Sequence, residues 1–164
     1  FYISKTAQPL RLRADRWQYR LIAQFMENVP IPDATAADRQ LIGALAECCC
    51  ALGTERYELQ TAVQHRLRTF CEQGELNQKA QAWWELSFGE FGSALKASFK
   101  LKQSPFKNPR VADEWEPYIE DKRAEVARLT KEISDSEAEL NDRVFRLFRL
   151  TPEEIRLLQK EVEH

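Results

Sequence analysis

Trp115-Glu116-Pro117-Tyr118-Ile119-Glu120-Asp121-Lys122-Arg123-Ala124-Glu125-Val126-Ala127-Arg128-Leu129-Thr130-Lys131-Glu132-Ile133 is the run whose reading decides the fold. Trp115, Tyr118, Val126, Leu129 and Ile133 recur at steps of three and four, and Leu140, Val144 and Leu147 continue the row. That spacing belongs to one face of a helix. Lys122 and Glu137 stand in the same row, so the apolar stripe is narrow. After Pro117 neither Gly nor Pro interrupts the run as far as Leu150. The spacing predicts one long helix over residues 113–150. Asp113 or a neighbour can cap it, and Pro117 is tolerable in a first turn, where the missing N–H has no helical partner. A stripe of this length must lie against something.

Working outward, Thr151-Pro152-Glu153-Glu154 is a dense helix-start signal, with Thr to cap, Pro at the first helical position and Glu to close a capping box. Ile155, Leu157, Leu158 and Val162 give that second helix its apolar face. Upstream, Thr35 or Asp33 can cap a helix carrying Leu41, Ile42, Leu45, Cys48, Cys49 and Leu52. Tyr57, Leu59, Ala62, Val63, Leu67, Phe70 and Cys71 continue it toward a stop at Gly74. Gly53 either breaks this helix or only weakens it, since one glycine costs about 1 kcal/mol relative to alanine. This stretch is the expected antiparallel partner of 113–150. Between the two, Leu76, Ala80, Trp83 and Trp84 suggest a short helix. Ser87 or a neighbour starts another, with Phe88, Phe91, Leu95 and Phe99 apolar. This aromatic stripe reads first as core, with a base-stacking or partner surface as the alternative. Ser104 to Pro109 is a connecting loop. At the N-terminus, residues 1–12 alternate weakly, either as a strand whose partners lie outside the chain or as a frayed end. Trp17, Leu21, Ile22, Phe25 and Met26 suggest a helix over Arg13–Asn28, closed by Pro30 and Pro32. The fold class is therefore all-α: a long antiparallel helical pair with shorter aromatic-rich helices and at most a short N-terminal strand.

The chain has 164 residues, 43% apolar and 30% charged, with five glycines and a net charge of −2. One domain with an appendage fits that length, and so few glycines speak against a turn-rich β fold. No apolar run approaches the ~20 residues that span a bilayer, so no membrane association is expected. Cys48, Cys49, Cys50 and Cys71 fit neither a disulfide framework nor zinc spacing. They read as small residues on a buried helix in a reducing cytoplasm. The first residue is Phe rather than Met, and the chain reads as a piece of a larger protein.

Two stretches carry a resemblance. Leu140-Asn141-Asp142-Arg143-Val144-Phe145-Arg146-Leu147-Phe148-Arg149-Leu150-Thr151-Pro152-Glu153-Glu154-Ile155 resembles the tail that closes many adenine-specific DNA methyltransferases. These are the long single-chain enzymes of type IIG restriction-modification systems and of BREX-type phage defence. Phe25-Met26-Glu27-Asn28-Val29-Pro30-Ile31-Pro32-Asp33, followed by Ala37-Asp38-Arg39-Gln40-Leu41-Ile42, is similar to the close of a target-recognition domain in that family and in type I specificity subunits. There a short helix leads to an Ile-Pro-Ile-Pro strand, and Glu-Gln-x-x-Ile opens a spacer helix. Asp38-Arg39-Gln40-Leu41-Ile42 departs slightly from that pattern. The resemblance implies that residues 1–34 end a target-recognition region and that 35–164 form a helical C-terminal domain. It implies a parent enzyme that transfers a methyl group from S-adenosylmethionine to adenine N6, flipping the base from double-stranded DNA. The partners implied are that DNA and the N-terminal methyltransferase and recognition domains.

No catalytic set is present. The chain lacks the Asn/Asp-Pro-Pro-Tyr/Phe motif that holds a target amine, a glycine-rich cofactor loop and a Walker loop. Neither a catalytic role, a cofactor nor a metal is therefore expected within it. His65 and His164 are the only histidines, and His65 reads as a surface residue. The charge is uneven, however. Residues 113–164 hold 15 acids and nine bases, whereas residues 91–112 hold Lys96, Lys100, Lys102, Lys107 and Arg110 and no acid. Residues 1–30 hold Lys5, Arg11, Arg13, Arg16 and Arg20 against Asp15 and Glu27. The candidate nucleic-acid residues are Arg11, Arg13, Arg16, Lys96, Lys100, Lys102, Lys107 and Arg110. Cations so arranged could meet DNA phosphates, and otherwise form a solubilising surface. The alternative function is a coiled-coil-like arm over 113–150 that forms a homodimer or docks a partner subunit.

Overall fold

The computed structural model describes residues 8–13, 16–20, 31–71 and 74–162. Its elements in chain order are strands β1 (Gln8–Arg13) and β2 (Arg16–Arg20) and five helices. The helices are α1 (Ala36–Phe70), α2 (Gln78–Gln81), α3 (Phe88–Ser98), α4 (Pro109–Leu147) and α5 (Pro152–Val162). Short 3-10 turns lie at Trp83–Glu85 and Pro105–Lys107. The fold is all-α apart from the N-terminal hairpin. No described helix is long and apolar enough to cross a membrane. The chain divides into two compact units, residues 44–139 and residues 1–43 with 140–164.

In the 44–139 unit, α1 and α4 run antiparallel. As the chain advances along α1 its partner recedes along α4. Arg56 donates to the Thr130 hydroxyl at 3.2 Å, Arg66 lies over the Tyr118 ring at 4.1 Å, and Phe70 packs on Trp115 with ring centroids 4.7 Å apart. The stripe is spent on this contact, with Trp115, Ile119, Val126, Leu129 and Ile133 all buried. The aromatic stripe is core. Trp83 and Phe91 are fully buried, Phe106 nearly so, and Trp84, Phe88 and Phe99 are packed partly against them. The Trp83 indole donates to the Gln60 carbonyl at 3.4 Å, tying the 3-10 turn to α1. Arg123 of α4 reaches the Leu86 carbonyl, fixing the far side of that turn.

Helix starts follow local chemistry. At α3, Ser87 and Glu90 cap each other reciprocally, with the Glu90 carboxylate accepting from the Ser87 amide at 3.0 Å. At α1, the Thr35 hydroxyl accepts from the Asp38 amide at 3.1 Å. The α4 helix begins earlier than its apolar spacing suggests. Asn108 accepts from the Arg110 amide and Pro109 takes the first position, so Asp113 is not the cap. Pro117 consequently lies inside the helix rather than in its first turn. α1 passes unbroken through Gly53. Gly74 does not stop α1, which ends at Phe70. An added Cβ at Gly74 would stand 2.3 Å from the Phe99 ring, so close approach explains that glycine.

The expected burial of the cysteines is corrected. Cys48 and Cys50 are exposed and Cys49 and Cys71 half-buried, and α1 buries no residue before Val63, so the Cys48–Cys50 level is not covered. Partial desolvation, then the Glu137 carboxylate, push the Cys49 thiol above its ordinary range, and burial does the same at Cys71.

In the other unit, β1 and β2 pair antiparallel, with Arg13 opposite Arg16 and a register shift between Pro9 and Arg11. The strand partner therefore lies within the chain, and Arg16–Arg20 is a strand where helical spacing predicted a helix. Trp17 and Tyr19 alternate as readily at period two as they fit a helix face, and pairing with β1 decides. The rest of the expected 13–28 helix lies outside the described residues. Thr151 and Glu154 close a capping box at α5, the Glu154 carboxylate accepting from the Thr151 amide at 2.7 Å. Before it, Arg149 takes φ 54° while the Leu150 amide returns to the Phe145 carbonyl, a left-handed helix stop usually given to glycine.

Candidate nucleic-acid interface

The acid-free segment unrolls from the end of α3. Lys96 lies in its last turn. Lys100 ends the helix with φ 51°, and the Leu101 amide returns to the Lys96 carbonyl at 3.0 Å. Lys102 follows in the loop, and Lys107 closes the 3-10 turn, which starts where Ser104 accepts from the Phe106 amide. Arg110 sits in the first turn of α4. All five cations are exposed. None of them has a carboxylate partner among the described residues. The segment is anchored beneath them by packing. Phe106 is buried against Phe88, Phe91 and Trp115, and Gly92 lets Ser104 approach α3 closely. Arg11 and Arg13 fall on β1 and Arg16 on β2.

The cations of α4 are disposed differently. Lys122 pairs with Glu125 at 2.8 Å, Arg128 with Glu132 at 2.7 Å and with Glu55 of α1 at 3.6 Å, and Arg123 with Glu120. Arg66 is held between Glu114 and the Trp115 and Tyr118 rings. The hydrogen bond to Glu125 raises Lys122 above its ordinary value, and that to Glu132 does so for Arg128. His65 is exposed, and the described residues hold no cluster of potential metal ligands.

Two hollows escaped the sequence reading. One, ≈ 810 Å³, lies where α1, the Trp83–Glu85 turn and α4 meet; Arg56, Gln60, Trp84, Glu85, Arg123 and Lys131 line it. Its cations come from residues 75 positions apart, so no local motif announces it. The other, ≈ 450 Å³, is an apolar hollow between the end of α4 and α5, lined by Phe145, Phe148, Leu150, Leu157 and Leu158.

Fold and surface together define an all-α domain with an anchored cationic segment that has no carboxylate partner among the described residues. Residues 35–144 match a family described as a domain of unknown function, DUF8810, and the chain belongs to that family. No curated protein and no solved structure matches the chain.

Proposed function

We propose that this chain is a non-catalytic helical domain that lays the Lys96–Arg110 segment on the phosphate backbone of duplex DNA. In this reading it is the C-terminal part of an adenine-specific DNA methyltransferase of the restriction-modification or phage-defence kind. The observation that carries DNA contact is the set Lys96, Lys100, Lys102, Lys107 and Arg110, all exposed and without a carboxylate partner among the described residues. Contacts of this type position a protein on DNA without reading sequence. S-adenosylmethionine and the target base would be handled by the remainder of such an enzyme.

The test is duplex binding across a salt series, with Lys100, Lys102 and Lys107 changed together to Glu. Affinity should fall steeply with salt, and the log–log slope should lose about 0.9 for each phosphate contact removed. Absence of low-salt binding, or a triple variant that binds like the native chain, overturns the reading.

A second reading is a protein-docking module. The hollow beside Phe148 and Leu157 favours it, since those residues are 39% and 65% exposed. A concentration-dependent dimer that ignores DNA would favour this reading over the first.

A further inference from the structure

We propose that the hollow between α1, the Trp83–Glu85 turn and α4 binds a nucleotide, its base against Trp84 and its phosphate between Arg56 and Lys131. The site is distinct from the Lys96–Arg110 segment and does not depend on it. Its volume of ≈ 810 Å³ suits a small ligand. The chemistry of its lining is mixed, aromatic and cationic. Trp84 lines it, half-buried and braced edge-to-face on the fully buried Trp83 at 5.8 Å. A braced indole is a stacking platform that loses little freedom when a planar ring covers it.

Arg56 and Lys131 bring positive charge to the lining. Arg56 is positioned by its bond to the Thr130 hydroxyl, and neither cation has a carboxylate partner among the described residues. Their neighbours behave otherwise, since Arg128, three residues before Lys131, is paired twice. Arg123 adds a third positive charge, although Glu120 and the Leu86 carbonyl already hold it. Glu85 is the one acid in the lining. A ligand that joins a planar ring to an anion satisfies both the indole and the cations, and a nucleotide is that combination. An aliphatic anion would leave Trp84 unused, and a neutral aromatic would leave the cations unused.

Calorimetric titration of the full chain with adenosine monophosphate, adenosine and inorganic phosphate tests this. The monophosphate should saturate and bind at least about tenfold more tightly than either part alone. Arg56→Gln with Lys131→Gln should weaken the monophosphate about tenfold and leave adenosine unchanged. Trp84→Leu should weaken both ligands that carry a base. Neither Arg56 nor Lys131 belongs to the buried core, so an unchanged thermal midpoint will show that their variant folds. A short single-stranded oligonucleotide distinguishes the two sources of the ligand. Tighter binding than the monophosphate assigns the site to a strand, and equal binding assigns it to free nucleotides. Lack of saturation by both the monophosphate and the oligonucleotide at low salt overturns the proposal, as does native-like monophosphate binding by the Arg56/Lys131 variant. The Lys100/Lys102/Lys107 variant should keep its nucleotide affinity, so failure here and failure of the duplex-DNA reading are separable.

Discussion

The two ends of the α1–α4 pair are built differently within one unit. At the Phe70–Trp115 end, α2, α3 and both 3-10 turns close over the pair, and Val63, Leu67, Trp83, Phe91, Leu95 and Ile119 are fully buried. At the Ala44–Leu59 end, α1 buries no residue and α4 contributes Leu129 and Ile133. The same two helices are thus a packed core at one end and a single apolar seam at the other. Packing, rather than helix propensity, supplies most helical stability in proteins. The seam end should therefore open first, and its amides should exchange faster than those around Trp83 and Phe91. The Lys96–Arg110 segment belongs to the packed end, whereas the hollow straddles the junction, with Trp84 on the packed side and Arg56 and Lys131 on the seam.

The largest effect should come from Trp83→Ala. It empties a fully buried indole site and removes the bond to the Gln60 carbonyl. A loss of about 3–5 kcal/mol is expected in denaturant unfolding. Leu129 is fully buried too, but the facing stretch of α1 buries no residue, so Leu129→Ala should cost less, about 2 kcal/mol. Equal losses would erase the distinction between the two ends.

Glycine replacements should sharpen it, because their sign differs between the ends. A Cβ at Gly92 would stand 2.6 Å from the Ser104 hydroxyl and 3.2 Å from the Phe106 ring. Gly92→Ala should therefore destabilise by about 1–3 kcal/mol through overpacking. At Gly53 nothing lies within 4 Å of an added Cβ, and the residue sits in mid-helix. There the same change should stabilise by about 1 kcal/mol, as helix propensity dictates. Thermal melts of the two variants against the native chain decide the matter.

Much of this was legible in the sequence, for reasons that differ by region. The α4 stripe, the helix start at Ser87, the Thr151 capping box and the aromatic stripe, read first as core, are local patterns. The failures share a cause, which is that tertiary partners decide between local alternatives. Trp17 and Tyr19 suit a strand or a helix, and only pairing with β1 selects the strand. The Cys48–Cys50 turn looks buried in a linear reading because α1 is assumed to be covered along its whole length. Pro109 starts α4 because Asn108 caps it, two helical turns before Pro117. The acid-free cationic segment is written in consecutive residues and could be read. The hollow that gathers Arg56, Trp84 and Lys131 is assembled by the antiparallel register, which no spacing rule supplies.

The smallest effect is one of pH, and it too separates the ends. Glu90 caps α3 at the packed end, and its carboxyl is held below the usual range, first by the Ser87 hydroxyl and then by the Ser87 amide. A carboxyl whose folded-state pKa is depressed contributes stability that is complete above its unfolded value and disappears as pH falls through its folded value. Acidification below the ordinary carboxylate range should therefore loosen the first turn of α3 before the rest of the core. Hydrogen exchange as a function of pH should show α3 amides losing protection in this window, with a smaller change around Leu129 and Ile133. Glu90→Gln keeps an acceptor for the Ser87 amide and removes the titrating group, so it should flatten the α3 response. A response that persists in Glu90→Gln would assign the acid sensitivity to the α4 ion pairs instead, and those run along both ends of the helix pair.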